Sequence, residues 1–426
     1  MVMLLIFGAL VFAILLGVPV AVGMGITSVI TFEVLGHGRI LTMLAQRMFS
    51  ATTGFTLLAI PFFILAGNLM NHGGITDRIF RFAGALVGHI SGGLGQVNII
   101  ASLIFSGMSG AAVADAAGLG LVEMKAMTDK GYDRGFAAAI TCASSTIGPV
   151  IPPSIPFVIY GSITGVSVGR LFLAGFIPGF LMAGAMMIGV FVVASRRGYP
   201  REQRANLREL WLSFRRAVAP LGTPVIIIGG ILGGLFTATE AAVAACVYAL
   251  VLGLLVYRAF RLRDLRAIIW ESIEQSVKVL FIISVAGFFG WLLIHQQIPQ
   301  VVISGLTSIS ANPYIILMII VAVLLILGCF LEGIAVLIIT IPLFMPVVLR
   351  LGVDPVQFGV IMILASMVGL VTPPVGMSLY AVASISKVSI GDLSREVFPY
   401  LLGILAVLML VTFVPWISLW LPNLLF

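Results

Sequence analysis

The sequence predicts an all-α polytopic membrane protein, on three observations. Hydrophobic residues make up 61% of the 426 positions and charged residues 9%, against about one-quarter charged in soluble domains, so lipid must cover much of the surface. The apolar residues gather in long runs; at about 20 residues per span plus connections, the length allows on the order of 10–12 spanning or half-spanning elements. Two segments, Ser145-Thr146-Ile147-Gly148-Pro149-Val150-Ile151-Pro152-Pro153 and Ser366-Met367-Val368-Gly369-Leu370-Val371-Thr372-Pro373-Pro374, share the pattern Ser-x-x-Gly-x-Val-x-Pro-Pro at an offset of 221 residues. Paired prolines break a helix, and broken backbone survives in a bilayer only where protein buries it or a wet cavity receives it.

From the amino end, Met1 to Leu16 is apolar, with no basic n-region and no small-residue cleavage site. A signal peptide needs both, so this stretch reads as a retained first membrane helix. Cys142, Cys246 and Cys329 lie in apolar runs without Cys-x-x-Cys spacing, which fits packing rather than a disulfide or metal framework. Near the midpoint, Ser195–Ala219 is polar, and Arg201, Arg204, Arg208 and Arg215 alternate with Leu207, Leu210, Trp211 and Phe214. That pattern suits a helix lying at the cytoplasmic interface.

The net charge of +7 is concentrated, with seven arginines from Arg196 to Arg216 and four from Arg258 to Arg266. Such clusters between apolar runs mark cytoplasmic connections and also attract anionic lipid. No aromatic-interleaved basic domain accompanies them, which excludes nucleic-acid binding.

The two halves can be laid over one another. At the 221-residue offset, Met124–Pro153 and Met345–Pro374 share nine identities in 30 positions, among them Gly131/Gly352, Asp133/Asp354, Ser145/Ser366, Gly148/Gly369 and both prolines. Several of these control backbone shape rather than oiliness, so the chain reads as an internal duplication, a common build for secondary transporters. Upstream of the first break, Leu94–Phe105 and Ala111–Val122 flank Ser106-Gly107-Met108-Ser109-Gly110. Arms of about 12 residues reach ~18 Å, short of the ~30 Å hydrocarbon core, so a re-entrant hairpin is expected. In the second half the tip is Gly328-Cys329-Phe330-Leu331-Glu332-Gly333, with a longer first arm.

Asp133 and Asp354 precede helical runs, and Pro355 follows the second; both read as helix caps. Glu240, after Thr237-Ala238-Thr239, reads as a first-turn acid. Asp115, Glu332 and Asn98 lie in or beside the hairpins and either tune a cation site or bind loose backbone. Ser144, Ser145 and Thr146 at one break, and Ser366 and Thr372 at the other, supply oxygens together with Ser106 and Ser109. Freed carbonyls and hydroxyls suit a cation, and half-helix amino termini suit an anion; the same hydroxyls also suit plain capping of a broken helix. Catalysis is not expected. His37, His72, His89 and His295 are scattered, and no His-Glu-x-x-His, Gly-x-Ser-x-Gly or phosphate-loop pattern occurs.

Several runs are specific enough to resemble a family. Pro61-Phe62-Phe63-Ile64-Leu65-Ala66-Gly67-Asn68, Gly92-Gly93-Leu94-Gly95, Phe105–Gly110, Ala114-Asp115-Ala116-Ala117-Gly118, Ser144–Ser154, Thr237–Ala241 and Val371–Gly376 are similar to the large membrane subunit of TRAP (tripartite ATP-independent periplasmic) transporters, the DctM or SiaM type. The resemblance runs in register from about Gly54 to Tyr380.

The resemblance implies a Na+-driven importer of organic acids, C4-dicarboxylates or sialic acids, in the inner membrane of a bacterium or archaeon. It implies a small DctQ-type membrane subunit on a separate chain and a DctP-type periplasmic binding protein as partners. The implied fold is an elevator transporter with two inverted repeats, each a re-entrant hairpin plus a Pro-Pro-broken helix. Residues 1–90 would be amino-terminal scaffold, 91–170 the first transport repeat, 171–300 central scaffold with the basic segment 195–219, 301–390 the second repeat, and 391–426 a terminal helix. On the matching positions, Na+ would be held among Ser106, Ser109, Ser144, Ser145, Thr146, Gly148 and Pro152, and among Gly328, Glu332, Ser366, Gly369 and Thr372. Substrate would meet Asn98, Ser145, Pro153, Thr372, Pro373 and Pro374. The second tip, Leu331-Glu332-Gly333-Ile334, departs from the hydroxyl-rich run expected there. A one-component Na+/carboxylate or ion transporter of related architecture is the alternative; a genetic neighbourhood with a binding protein and a small membrane subunit separates the two.

Overall fold

The computed structural model describes the backbone of residues 2–109 and 112–426, with every side chain there except those at 76, 77, 106–109, 113–115, 117–119 and 122. The described residues are helical, with no strand among them, and eight of their helices are long and apolar enough to cross a membrane.

The chain opens with α1 (Val2–Leu15) and α2 (Val20–Val34), packed on one another. Each rises only about 21–23 Å. The single retained membrane helix expected over Met1–Leu16 is therefore a helix shorter than a ~30 Å span, one of a pair. The cause is local: Gly17 adopts φ +80° and Pro19 follows, a left-handed turn open to glycine followed by a residue with no N–H. Next come α3 (Leu44–Ser50), α4 (Ala59–His72) and α5 (Ile75–Val87). α5 buries Ile75, Ile79, Ala83 and Val87 on one face, the stripe of a helix lying along protein.

The first repeat contains α6 (Gly93–Ser109), α7 (Ala112–Asp129), α8 (Arg134–Ser144) and α9 (Ile155–Thr164), followed by the 30-residue α10 (Val168–Arg197). After it come α11 (Leu207–Leu232), α12 (Ala238–Val251), α13 (Leu265–His295) and α14 (Ile298–Ile309). The second repeat is α15 (Pro313–Phe330), α16 (Gly333–Arg350), α17 (Pro355–Leu370) and α18 (Met377–Ser386), followed by α19 (Ile390–Phe413) and α20 (Trp416–Leu425). Adding 221 to the bounds of α7 gives those of α16 at both ends, and the starts of α8 and α17 match in the same way.

Three expectations are corrected. The first hairpin's arms do not stop at 12 residues: α6 and α7 have 17 and 18, about 26 Å each. Ser106–Ser109 continue the helix, while Gly110 and Ala111 lie outside the described residues. The second hairpin is no more lopsided than the first, since α15 and α16 have 18 residues each around Leu331 and Glu332. The basic segment 195–219 is not a separate interfacial helix. α10 ends at Arg197, residues 198–206 are irregular, and the Leu207–Phe214 pattern is the first two turns of a 26-residue spanning helix. Asn206 fixes that start, its Oδ1 accepting from the Glu209 N–H at 2.8 Å, and no breaker interrupts the run until Pro220.

The two hairpins enter from opposite ends. At the basic end, Leu94 N–H donates to Tyr132 Oη (3.3 Å), Tyr132 Oη donates to Pro200 O (2.8 Å), and Glu202 N–H donates to Gly88 O (3.1 Å). The open end of the first hairpin thus lies beside the arginine-rich connection 198–206. Glu396, near the start of α19, bonds Arg197 there at 2.8 Å. α19, 24 residues long from Ile390, ends at Phe413, whose ring stands 5.8 Å from that of Tyr314 at the start of α15. The open end of the second hairpin is therefore at the far face, so the repeats are inverted. The excess of arginine makes the basic end the one expected on the cytoplasmic side.

Between the hairpins lies the driest part of the molecule. Phe136 to Gly161 is buried without interruption, and so is Val356 to Val371. A helix apolar all round belongs at the centre, which is where α17 sits. Its one amide, Gln357, donates to the carbonyls of Val411 (3.0 Å) and Thr412 (3.3 Å). Across the repeats, Tyr160 Oη donates to Pro355 O at 2.7 Å.

Candidate ion and substrate centre at the two helix breaks

At the first break α8 gives way to a 3-10 turn, Ser145–Ile147, and the chain passes a cis Pro152–Pro153 bond before Ser154 caps α9. Ser154 Oγ donates to Pro149 O and accepts from Phe157 N–H at 3.3 Å. Ser145 donates to Cys142 O at 2.9 Å and Thr146 to Ala143 O at 2.6 Å. A hydroxyl that gives its proton to a carbonyl keeps its lone pairs, so these oxygens serve both as caps and as acceptors. α10 supports the break from behind, where a Cβ on Gly175 would overlap the Val150 carbonyl.

At the second break α17 stays helical to Leu370, and residues 371–376, with a cis Pro373–Pro374 bond, lead into α18. Ser366 donates to Met362 O at 2.8 Å and Thr372 to Val368 O at 2.6 Å. The second hairpin is bound to this break by its backbone. Gly376 N–H donates to Cys329 O at 2.8 Å, Gly328 lies against Gly369, and Gly333 lies beside Met367 and Ser366. Gly376 holds φ +57°, and a Cβ there would stand 2.9 Å from Thr372 O and 3.1 Å from Leu370 O, so glycine keeps two carbonyl oxygens clear on one side of the turn.

The structure thus brings Gly328, Ser366 and Gly369 together, with Glu332 next to Gly333. Glu332 stands half-buried at the N-cap of α16 and makes no capping bond. Ser144, Ser145, Thr146, Gly148, Pro152 and Pro153 share the first break and are buried. The side chains of Ser106, Ser109 and Asp115 lie outside the described residues. At the second break Pro373 and Pro374 are exposed and Thr372 is half-buried. Asn98 is not open to a ligand: it is fully buried and bonded to Glu123, Thr141 and Ser144.

The acids divide by role. Asp354 caps α17, accepting from Val356 N–H at 2.7 Å, and Thr237 and Glu240 form a reciprocal capping box on α12. Asp133 occupies the N-cap of α8 but does not cap; it accepts instead from Tyr199 Oη and faces Arg197 at 4.0 Å. Burial, helped by the Asp133 bond, holds the Tyr199 phenol above its ordinary pKa.

Three site residues were not singled out from sequence: Glu123, Thr141 and Ser378. The last is fully buried in the first turn of α18, its hydroxyl without a hydrogen-bond partner among the described residues. An acid in the otherwise apolar run Gly120-Leu121-Val122-Glu123 was the available signal for the first. Among the described residues, no three His, Cys, Asp or Glu side chains gather as a metal cluster.

A family model, the DctM component of the tripartite ATP-independent periplasmic transporters, matches residues 7–417. The chain is 45% identical to the sialic acid TRAP transporter large permease protein SiaM of Vibrio cholerae, over 96% of this chain and 95% of that one. It is 39% identical to the C4-dicarboxylate TRAP transporter large permease protein DctM of Rhodobacter capsulatus, over 99% of each. It is 37% identical to the 2,3-diketo-L-gulonate large permease protein YiaN of Escherichia coli, over 88% of each. Among solved structures, the Alcanivorax borkumensis YdaH transporter shares the fold with a TM-score of 0.62 at 17% identity, over 90% of this chain and 89% of that one.

Proposed function

Because the chain belongs to the DctM component family of the tripartite ATP-independent periplasmic transporters, and is thus a transporter permease rather than an enzyme, we propose that it carries an organic acid across the cytoplasmic membrane by Na+-coupled alternating access. The observation that carries this reading is the inverted pair of breaks, each faced by a hairpin from the opposite side. Carbonyls freed at a break bind a cation without a full buried counter-charge, and half-helix amino termini face an anion. The second break has the parts on view: Thr372 O and Leu370 O beside Gly376, the Ser366 and Thr372 hydroxyls, and the hairpin backbone at Cys329.

In this reading Na+ at both breaks fixes the hairpin tips, and the acid then binds beside the exposed Pro373 and Pro374. The hairpins and breaks then move as a body against α4, α11, α12 and α13, an elevator motion. Substrates of the sialic acid and C4-dicarboxylate kind are favoured by the relatives' names. A small membrane subunit and a periplasmic binding protein complete the importer. The test is reconstitution in liposomes with both partners and a radiolabelled acid, varying Na+ on each side. Uptake that needs the binding protein and rises with an inward Na+ gradient supports the reading; uptake indifferent to that gradient rejects the coupling.

A further inference from the structure

Glu123 on α7, Asn98 on α6 and Ser144 at the end of α8 form one buried chain of hydrogen bonds. Asn98 Nδ2 donates to Glu123 Oε2 at 2.7 Å and to Thr141 Oγ1 at 2.9 Å, while Asn98 Oδ1 accepts from Ser144 Oγ at 2.7 Å. Asn98 is fully buried, Ser144 is 1% exposed, and Thr141 and Glu123 are each 2% exposed.

With Glu123 ionised, its carboxylate only accepts, so the amide nitrogen of Asn98 faces Glu123 and its oxygen faces Ser144. Ser144 has a single proton. Its other acceptor, Thr141 O, is at 3.3 Å, so the shorter bond to Asn98 takes it. The Ser144 oxygen is thereby left with its lone pairs turned away from Asn98, at the residue where α8 ends and the first break begins. Glu123, itself 2% exposed, lies at the wall of a cavity of about 950 Å³ at the basic end, with Arg78, Arg81, Glu202 and Glu209 on its other walls.

We propose that Glu123 and Asn98 are positioning residues for the ion at the first break: the carboxylate orients the amide, and the amide takes the Ser144 proton so that Ser144 Oγ is presented as a ligand. This rests on the Na+ reading above and adds to it a pair of residues that touch no ion. Groups that orient ligands in this way set metal affinity by about 10–100-fold.

The test measures saturable 22Na+ binding to the purified full-length chain, with thermal unfolding in Na+-free buffer as the control. Glu123→Gln keeps the size but allows the side-chain amide to face Asn98 either way round, so Ser144 loses its fixed acceptor. Its apparent Na+ affinity is expected to fall about tenfold, with the Na+-free unfolding temperature little changed. Ser144→Ala is expected to fall similarly, and the double variant no further than either alone, because both act through one oxygen. Thr141→Val removes a neutral acceptor from Asn98 and serves where E123Q does not fold; a loss of about threefold is expected. Unchanged affinity in E123Q or T141V, or additive losses in E123Q/S144A, overturns the positioning role while leaving Na+ coupling intact. Absence of saturable Na+ binding in the wild-type chain overturns both.

Discussion

Gly369 of the second break lies so close to Gly328 of the second hairpin that a Cβ on Gly369 would stand 2.5 Å from the Gly328 backbone. Nothing but glycine fits, and the neighbouring Gly376–Cys329 hydrogen bond depends on the same approach. Gly369→Ala must push the tip off the break at a cost of about 1–3 kcal/mol. Uptake in proteoliposomes is expected to drop by an order of magnitude or more. Gly328→Ala, whose Cβ would stand 3.0 Å from Gly369 Cα, is expected to be milder. Wild-type rates in Gly369→Ala would show that the tip need not close on the break.

Inversion of the repeats has a direct test. Lys130 follows α7 at the basic end, and Arg350 closes α16 at the far face; both are exposed. Single cysteines at the two sites are expected to react with an impermeant maleimide from opposite sides, Lys130→Cys from the cytoplasm and Arg350→Cys from outside. The native Cys142, Cys246 and Cys329 are buried and contribute little background. Labelling of both from one side would remove the inverted architecture.

The equivalent aspartates should behave differently. Asp354→Ala deletes a cap bonded at 2.7 Å to Val356 N–H and is expected to cost ~1 kcal/mol, with Asp354→Asn largely restoring stability in thermal unfolding. Asp133 makes no cap bond. Its exposed pairing with Arg197 is of a kind worth about 0–1 kcal/mol and screened by salt. The Asp133→Ala loss should therefore shrink at high ionic strength, whereas the Asp354→Ala loss should not.

That contrast also shows what the sequence can tell. Asp354-Pro355 and Thr237-x-x-Glu240 are local signals, set by residues within one turn: Asp354 caps where a cap was read, and Glu240 lies in the first turn as read, with Thr237 completing a capping box. The breaks, the duplication and the basic connections are equally local or periodic. The pairing of Glu123 with Asn98 crosses 25 positions and two hairpin arms, so no local pattern announces it, and Asn98 alone was read as a ligand. The diversion of Asp133 to Tyr199 crosses 66 positions for the same reason. Helix ends were missed where serine and glycine continue a helix, as at Ser106–Ser109, or where a polar stretch leads a spanning helix, as at Leu207.

Ser378 gives the sharpest separation between a site and a mere kink. Its hydroxyl is fully buried two residues past Gly376, the glycine whose turn faces the carbonyls of Leu370 and Thr372, and has no partner among the described residues. An unpaired buried hydroxyl costs about 1–3 kcal/mol. If it serves no ligand, Ser378→Ala should only stabilise the chain. If it faces the ion of the second break, the Na+-free protein should still become more stable, while apparent Na+ affinity falls, by about tenfold for ~1.4 kcal/mol of lost interaction. The ligand role is the expected outcome: thermal unfolding without Na+ rises, and the added stabilisation by saturating Na+ shrinks. A rise in stability at every Na+ concentration, with affinity unchanged, would exclude Ser378 from the ion site.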